Sequence, residues 1–72
     1  MEVSVKVRFE SSKERIEAFG NNRYLMYLPF PKDKDSLEII TMMLAKFVGV
    51  PASAVEFKCK MPVTNDLVFY VN

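Results

Sequence analysis

Basic side chains recur at alternate positions near both ends of the chain, at Lys6, Arg8, Lys58 and Lys60. Alternate residues of an extended strand point to one face, so these side chains predict a basic outer face of a sheet. Tyr24 and Tyr70 of neighbouring predicted strands are expected on the same surface. Basic groups interleaved with aromatic rings on an open sheet bind single-stranded RNA or DNA through phosphate contacts and base stacking. Glu2 and Glu56 are expected on this face too, and a solvated outer face is the commoner explanation of such a pattern.

Covalent and metal chemistry have few candidate residues. Cys59 is the only thiol, and its alternation with Val55 and Phe57 predicts a small, buried and inert side chain. No histidine is present to activate it. The acidic residues lack the clustered spacing of a zinc or calcium site, and Gly20 and Gly49 are too far apart for a phosphate-cradling loop. We therefore expect no enzymatic activity, no metal and no cofactor.

Length and charge narrow the class of protein further. Seventy-two residues make one domain, residues 1–72, and the apolar half of the chain is enough for a core. Ten basic against nine acidic residues give a net charge of +1, so we expect no global attraction to nucleic acid or membrane. No run is long and apolar enough to span a membrane, and the beginning of the chain does not resemble a signal peptide. A single cysteine suits a reducing compartment, so a cytoplasmic location is expected.

The elements that must position these side chains follow from hydrophobic periodicity. Four strands are predicted, over residues 3–9, 23–28, 55–59 and 67–71. Ser11 with Glu14 resembles a helix capping box, and Gly20 resembles a helix stop. A short extra helix over 12–19 is therefore possible, although two turns have little stability of their own.

One long helix is predicted from Asp35 or Ser36 to Val48, with Gly49 as its left-handed closing residue. Its core face at helical spacing is expected to comprise Leu37, Ile40, Leu44, Phe47 and Val48. The opposite side is unusually apolar for a surface that faces solvent, and it carries Ile39, Met42 and Lys46. This side is a candidate protein-interaction surface, unless its apolar residues simply pack beneath residues 12–19.

The segment LAKFVGVPASAVEF, residues 44–57, resembles the helix-turn-strand signature of the YggU-like proteins, a family of small domains without an established function. Upstream, VRFESSKERI is similar to the opening strand of that family and the pair of residues that follows it. The matching positions outside the helix and strands are Ser12, Lys13, Pro31, Asp33, Gly49 and Pro51. The loop that contains Pro31 departs from the family at Phe30, Lys34, Asp35 and Leu37. The resemblance therefore implies a fold, but it assigns almost no functional residues to this chain.

The resemblance also implies two layers, with a mixed four-stranded sheet under the long helix and a second helix at the C-terminus. The sequence stops at Asn72, directly after the last predicted strand, so we expect that second helix to be absent. Part of the apolar face of the sheet would then lack cover, and a partner could supply it.

We therefore expect a two-layer α+β fold with the order β-β-α-β-β. The leading functional hypothesis is a small non-enzymatic binding module that acts through protein–protein contact, with another protein or as a homodimer. The alternative is a single-stranded RNA or DNA binder that uses the basic, tyrosine-bearing sheet face. Neither hypothesis involves a membrane.

Overall fold

The computed structural model of the chain describes residues 1–72. Five strands and one α-helix follow one another as β1 (Glu2–Arg8), β2 (Arg15–Ala18), β3 (Arg23–Tyr27), α1 (Ser36–Val48), β4 (Val55–Lys60) and β5 (Leu67–Val71). The strands form one sheet in the order β2-β3-β1-β5-β4, in which β1 and β3 are parallel and the other neighbours antiparallel. The predicted α+β class is confirmed, but the mixed sheet has five strands rather than four. No helix is long and apolar enough to cross a membrane.

The additional strand, β2, lies within residues 12–19, where the sequence allowed a short helix. The helical interpretation of this segment is therefore wrong. β2 pairs antiparallel with β3, and Ile16 lies opposite Met26. Ser11 does not cap a helix, because its N–H donates to the carbonyl of Leu28 at 2.9 Å. A two-turn helix is marginal on its own, whereas the strand satisfies its backbone groups along a neighbour.

A tight turn joins β2 to β3, and it explains why the chain reverses there. Gly20 has φ of 116° and Asn22 has φ of 55°, conformations that glycine and asparagine adopt more readily than other residues. Phe19 N–H donates to the carbonyl of Arg23 at 3.0 Å and closes the turn. The residues that resembled a helix stop are therefore the turn of a β-hairpin.

α1 begins and ends at predicted residues. Gly49 has φ of 81° and ψ of 35°, and its N–H donates to the carbonyl of Ala45 at 2.9 Å. The N-terminal cap differs from the expectation, because Asp35 makes no side-chain cap bond. Instead the Asp33 N–H donates to Ser36 Oγ at 2.9 Å, and the Asp35 N–H donates to Asp33 Oδ1 at 2.8 Å.

The core lies between α1 and the central strands of the sheet. α1 buries Ile40, Leu44 and Ala45, and the largest buried side chains of the strands and adjoining loop are Val3, Val5, Met26, Leu28 and Phe69. Leu37 and Phe47 were expected in the core but are 37% and 47% exposed. The buried positions of α1 recur at about every fourth residue, so the buried stripe is narrow and these two side chains fall on its flanks.

Substitution of Phe69 by alanine tests this core. Phe69→Ala is expected to cost about 3–5 kcal/mol, because a large buried ring leaves a cavity. A domain of this length has a total stability of only about 4–11 kcal/mol, so the variant should be partly or largely unfolded. Tyr70→Ala, one residue along β5 and 41% exposed, is the matched control and should cost about 1 kcal/mol or less. Urea unfolding followed by circular dichroism measures both, and equal costs would contradict the assigned faces of β5.

Candidate functional site

An open groove of about 510 Å³ separates one side of α1 from the edge strand β2. Its apolar lining comprises Ile16, Ile39, Met42, Met43 and Phe47, and its charged lining comprises Glu14 and Lys46. The structure thus brings together the three residues predicted as an interaction surface, Ile39, Met42 and Lys46. β2 does not cover them, since Met42 is 58% exposed and Ile39 is 36% exposed. The alternative that Ile39 and Met42 pack beneath residues 12–19 is therefore wrong.

The charges along this side of α1 are ordered by sign. Glu38 lies in the first turn of the helix and Lys46 in its last turn, and Met42 stands midway between them. Residues four apart lie close to one line on a helix surface, so the three side chains form a row. All three are exposed. The row has an acidic end, an apolar centre and a basic end, and we call it the Glu38–Met42–Lys46 row.

The opposite face of the sheet carries part of the predicted basic surface. Lys6 and Arg8 lie on it, since the alternating Val5 points to the core and is fully buried. Lys58 and Tyr70 lie on it together, with the Lys58 ammonium 5.6 Å from the centre of the Tyr70 ring. These four assignments agree with the prediction.

Tyr24 does not belong to that face. It lies beside Val5 in the parallel pair of β1 and β3, and paired residues point to the same side. Its ring packs edge-on against Phe47 of α1, with ring centres 5.7 Å apart. β3 is apolar on both faces, so its sequence alone did not distinguish the inward side from the outward side.

Lys60 and Cys59 also differ from the prediction, and one irregularity explains both. β4 carries a β-bulge between Phe57 and Cys59, so that Cys59 pairs with Val68 and Lys60 pairs with Leu67. The extra residue reverses the alternation, which places Lys60 on the helix side and Cys59 on the outer side. Cys59 is exposed rather than buried.

Tyr27 and Arg15 are outer-face residues that the sequence prediction missed. The sheet register places Arg8 beside Tyr27, and Tyr27 beside Arg15. Arg15 also forms an ion pair with Glu17 at 2.8 Å. Recognition of β2 as a strand would have found this row, because Arg15 then falls opposite Tyr27.

A pocket of about 230 Å³ adjoins the row and is lined by Ser11, Ser12, Lys13, Arg15 and Tyr27.

A separate cavity of about 370 Å³ opens on the other side of α1, near the end of β4. Lys60 and Lys32 both line it. The neighbouring Lys32 ammonium lowers the pKa of Lys60, first through its side-chain hydrogen bond and then through charge repulsion, with a smaller contribution from desolvation. The cavity is therefore lined by two basic side chains.

The remaining positions that resembled the YggU-like family lie just before and just after α1. Gly49 closes α1, and Pro51 is extended and precedes a single 3₁₀ turn at Ala52–Ala54. Pro31 lies in the exposed loop before α1, and the Asp33 carboxylate is engaged at the start of that helix. No group of three or more His, Cys, Asp or Glu side chains is placed to hold a metal ion.

Comparison of the chain with models of protein families, with curated proteins and with solved structures found no match. The resemblance to the YggU-like proteins therefore stays a prediction.

Lys60→Met tests the repulsion between the two lysines. The folded-state pKa of Lys60 lies below its ordinary value of 10.5, so its charged form opposes folding. This penalty is fully present below the folded-state pKa, decreases as the pH rises toward 10.5 and is absent well above that value. Lys60→Met should therefore raise the Tm at pH 7, with a smaller gain at pH 10.5 and in about 1 M NaCl, where the screening length is about 3 Å.

Lys58→Met is the control for this experiment, because Lys58 lies on the outer face beside Tyr70. It should leave the Tm unchanged or lower it, since it removes a cation–π contact. Thermal unfolding followed by circular dichroism compares the two variants. A lower Tm for Lys60→Met at pH 7 would show that the lysines do not repel each other in the folded state.

Proposed function

We propose that the chain is a small non-enzymatic binding module that pairs with a second copy of itself through the exposed side of α1. The observation that carries this proposal is the Glu38–Met42–Lys46 row, in which opposite charges lie four residues on either side of an exposed methionine. Such a row is complementary to its own copy when the two helices run antiparallel.

The pairing follows from a two-fold axis at Met42. Glu38 of one copy then faces Lys46 of the other, the reverse pair forms by symmetry, and the two Met42 side chains meet at the centre. An isologous contact of this kind is the usual arrangement in homodimers. A parallel arrangement would instead bring like charges together and would align the two helix dipoles unfavourably. The charges therefore favour one orientation.

The apolar part of the surface supplies the contact area. Met42 and Phe47 are among the most exposed large apolar side chains of α1, and Ile39 lies beside them. Methionine is flexible and polarisable, so the two Met42 side chains can adapt to each other and to the groove beside β2. α1 has 13 residues and is about 20 Å long, so the contact is small. We expect a reversible dimer with a Kd in the micromolar range or weaker.

Charge reversal on α1 tests this dimer. Glu38→Lys places two cations at each end of the contact, and Lys46→Glu places two anions there, so each single variant should dimerise about tenfold more weakly or worse. An equimolar mixture of the two variants should dimerise again, because each end then joins opposite charges. Sedimentation velocity over a range of concentrations measures the species, at the 8.3 kDa chain mass or twice that value.

Glu56→Lys is the control, since it reverses an exposed charge on the outer face of β4 and should leave the dimer intact. A wild-type chain that remains monomeric at millimolar concentration would contradict the proposal. A wild-type dimer that neither single reversal weakens would show that the contact lies elsewhere.

Single-stranded RNA or DNA binding is the second candidate function. The observation that favours it is the position of Tyr27 between Arg8 and Arg15 on the outer face of the sheet. An aromatic ring flanked by guanidinium groups can stack a base while the cations contact the adjoining phosphates. Lys6 lies two residues before Arg8 in β1, on the same face, and extends the basic surface.

Tyr27→Ala and Arg8→Glu test this surface. Each should weaken binding of a fluorescent oligothymidylate by about tenfold, because stacking of one base is worth about 1–3 kcal/mol. Wild-type affinity should also fall steeply with added salt. Lys46→Glu, which reverses an exposed cation on α1 away from this face, is the control and should change little. Fluorescence anisotropy measures all four proteins, and salt-independent binding or full affinity in Tyr27→Ala would exclude this face.

The location of the protein is proposed from its thiol. Cys59 is exposed and has no second cysteine in the chain with which to form a disulfide. An exposed free thiol persists in a reducing compartment, so we propose a cytoplasmic location.

A further inference from the structure

The cavity of about 370 Å³ beside the start of α1 combines a basic mouth with an apolar floor. The floor is formed by Val7 and Phe9 at the end of β1, Ile40 of α1 and Leu67 of β5. Lys32 comes from the loop before α1, and Lys60 is the last residue of β4. The volume is within the range of small-molecule sites, about 300–1,000 Å³.

The two lysines meet because of the β-bulge in β4. Regular alternation would have placed Lys60 on the outer face of the sheet with Lys6 and Arg8. The bulge turns it to the helix side, opposite Leu67, where it lines the same cavity as Lys32. Two ammonium groups side by side repel each other unless an anion lies between them.

The acidic group nearest this mouth does not fill that role. Asp33 lines the cavity, but its Oδ1 accepts hydrogen bonds from the Asp35 N–H at 2.8 Å and from Ser36 Oγ at 3.4 Å. The carboxylate is thereby held at the first turn of α1. No salt bridge joins Asp33 or any other acidic residue to Lys32 or Lys60, since the one ion pair of the chain is Arg15 with Glu17.

We propose that this cavity binds a small amphipathic anion, with its carboxylate or phosphate group between Lys32 and Lys60 and its apolar body against the floor. Charge-assisted hydrogen bonds from the two ammonium groups fix the head group. Burial of the apolar body against Val7, Phe9 and Leu67 adds affinity that inorganic anions lack. The site is distinct from the groove beside β2, because it lies on the opposite flank of α1.

Octanoate is the test ligand, and octan-1-ol and inorganic phosphate are its matched controls. The first retains the apolar chain without the charge, and phosphate retains a negative charge without the chain. Methyl and amide NMR spectra of the wild-type chain are recorded as each probe is titrated. Octanoate should cause saturable shifts at Val7, Ile40 and Leu67, at concentrations at least tenfold lower than either control requires.

Variants of the two lysines complete the test. Lys60→Met and Lys32→Met should each weaken octanoate binding about tenfold or more, whereas Lys58→Met should bind like the wild type. Their unperturbed amide spectra elsewhere serve as the control for folding. Any of three results would overturn the proposal: no saturable shift at the floor, equal binding of octanoate and octan-1-ol, or full affinity in both lysine variants. Shifts confined to Ile39, Met42 and Met43 would also overturn it, because the ligand would then occupy the other groove.

Discussion

A single helix must cover one face of a five-stranded sheet, and it is too narrow to do so. An α-helix with its side chains is about 10 Å wide, whereas five strands spaced about 4.8 Å apart place the two edge strands about 19 Å from each other. Burial follows this geometry. The central strands β3, β1 and β5 contain fully buried side chains such as Met26, Val5 and Phe69. β2 contains no buried residue, and β4 buries only Val55.

Each flank of α1 is consequently an open groove, and the residues around the two grooves differ in chemistry. The flank over β2 is mainly apolar, and the Glu38–Met42–Lys46 row runs beside it with one charge of each sign. That composition suits a protein surface, and the order of the charges suits a second copy of the same helix. On the flank over β4, Lys32 and Lys60 lie above an apolar floor. That composition suits a small anion with an apolar body.

The sequence predicted those elements whose periodicity or closing residues act locally. The alternation of residues 3–9 and the Gly49 closure of α1 are expressed in a few neighbouring residues, and both predictions are confirmed. β2 was missed because Ser11, Glu14 and Gly20 satisfy the local pattern of a helix, while the pairing with β3 that stabilises a strand depends on residues further along the chain.

The candidate surfaces were predictable to different degrees for a similar reason. Ile39, Met42 and Lys46 follow helical spacing, so their common exposure on α1 could be inferred from the sequence. The positions of Tyr24, Cys59 and Lys60 could not, because a strand that is apolar on both faces gives no inward direction and a single bulge reverses all later side chains. The placement of Lys32 and Lys60 around one cavity depends on tertiary structure and has no counterpart in local sequence.

The most direct test of the dimer is an intermolecular NOE experiment on a mixture of isotope-labelled and unlabelled chains. With ¹³C-methyl methionine in one half of the chains, we expect contacts between the Met42 methyl group of one copy and the α1 protons of the other. These contacts should strengthen as the protein concentration rises. Their absence at concentrations where sedimentation shows a dimer, or intermolecular contacts only from the outer-face strands, would contradict the proposal that two copies pair through α1.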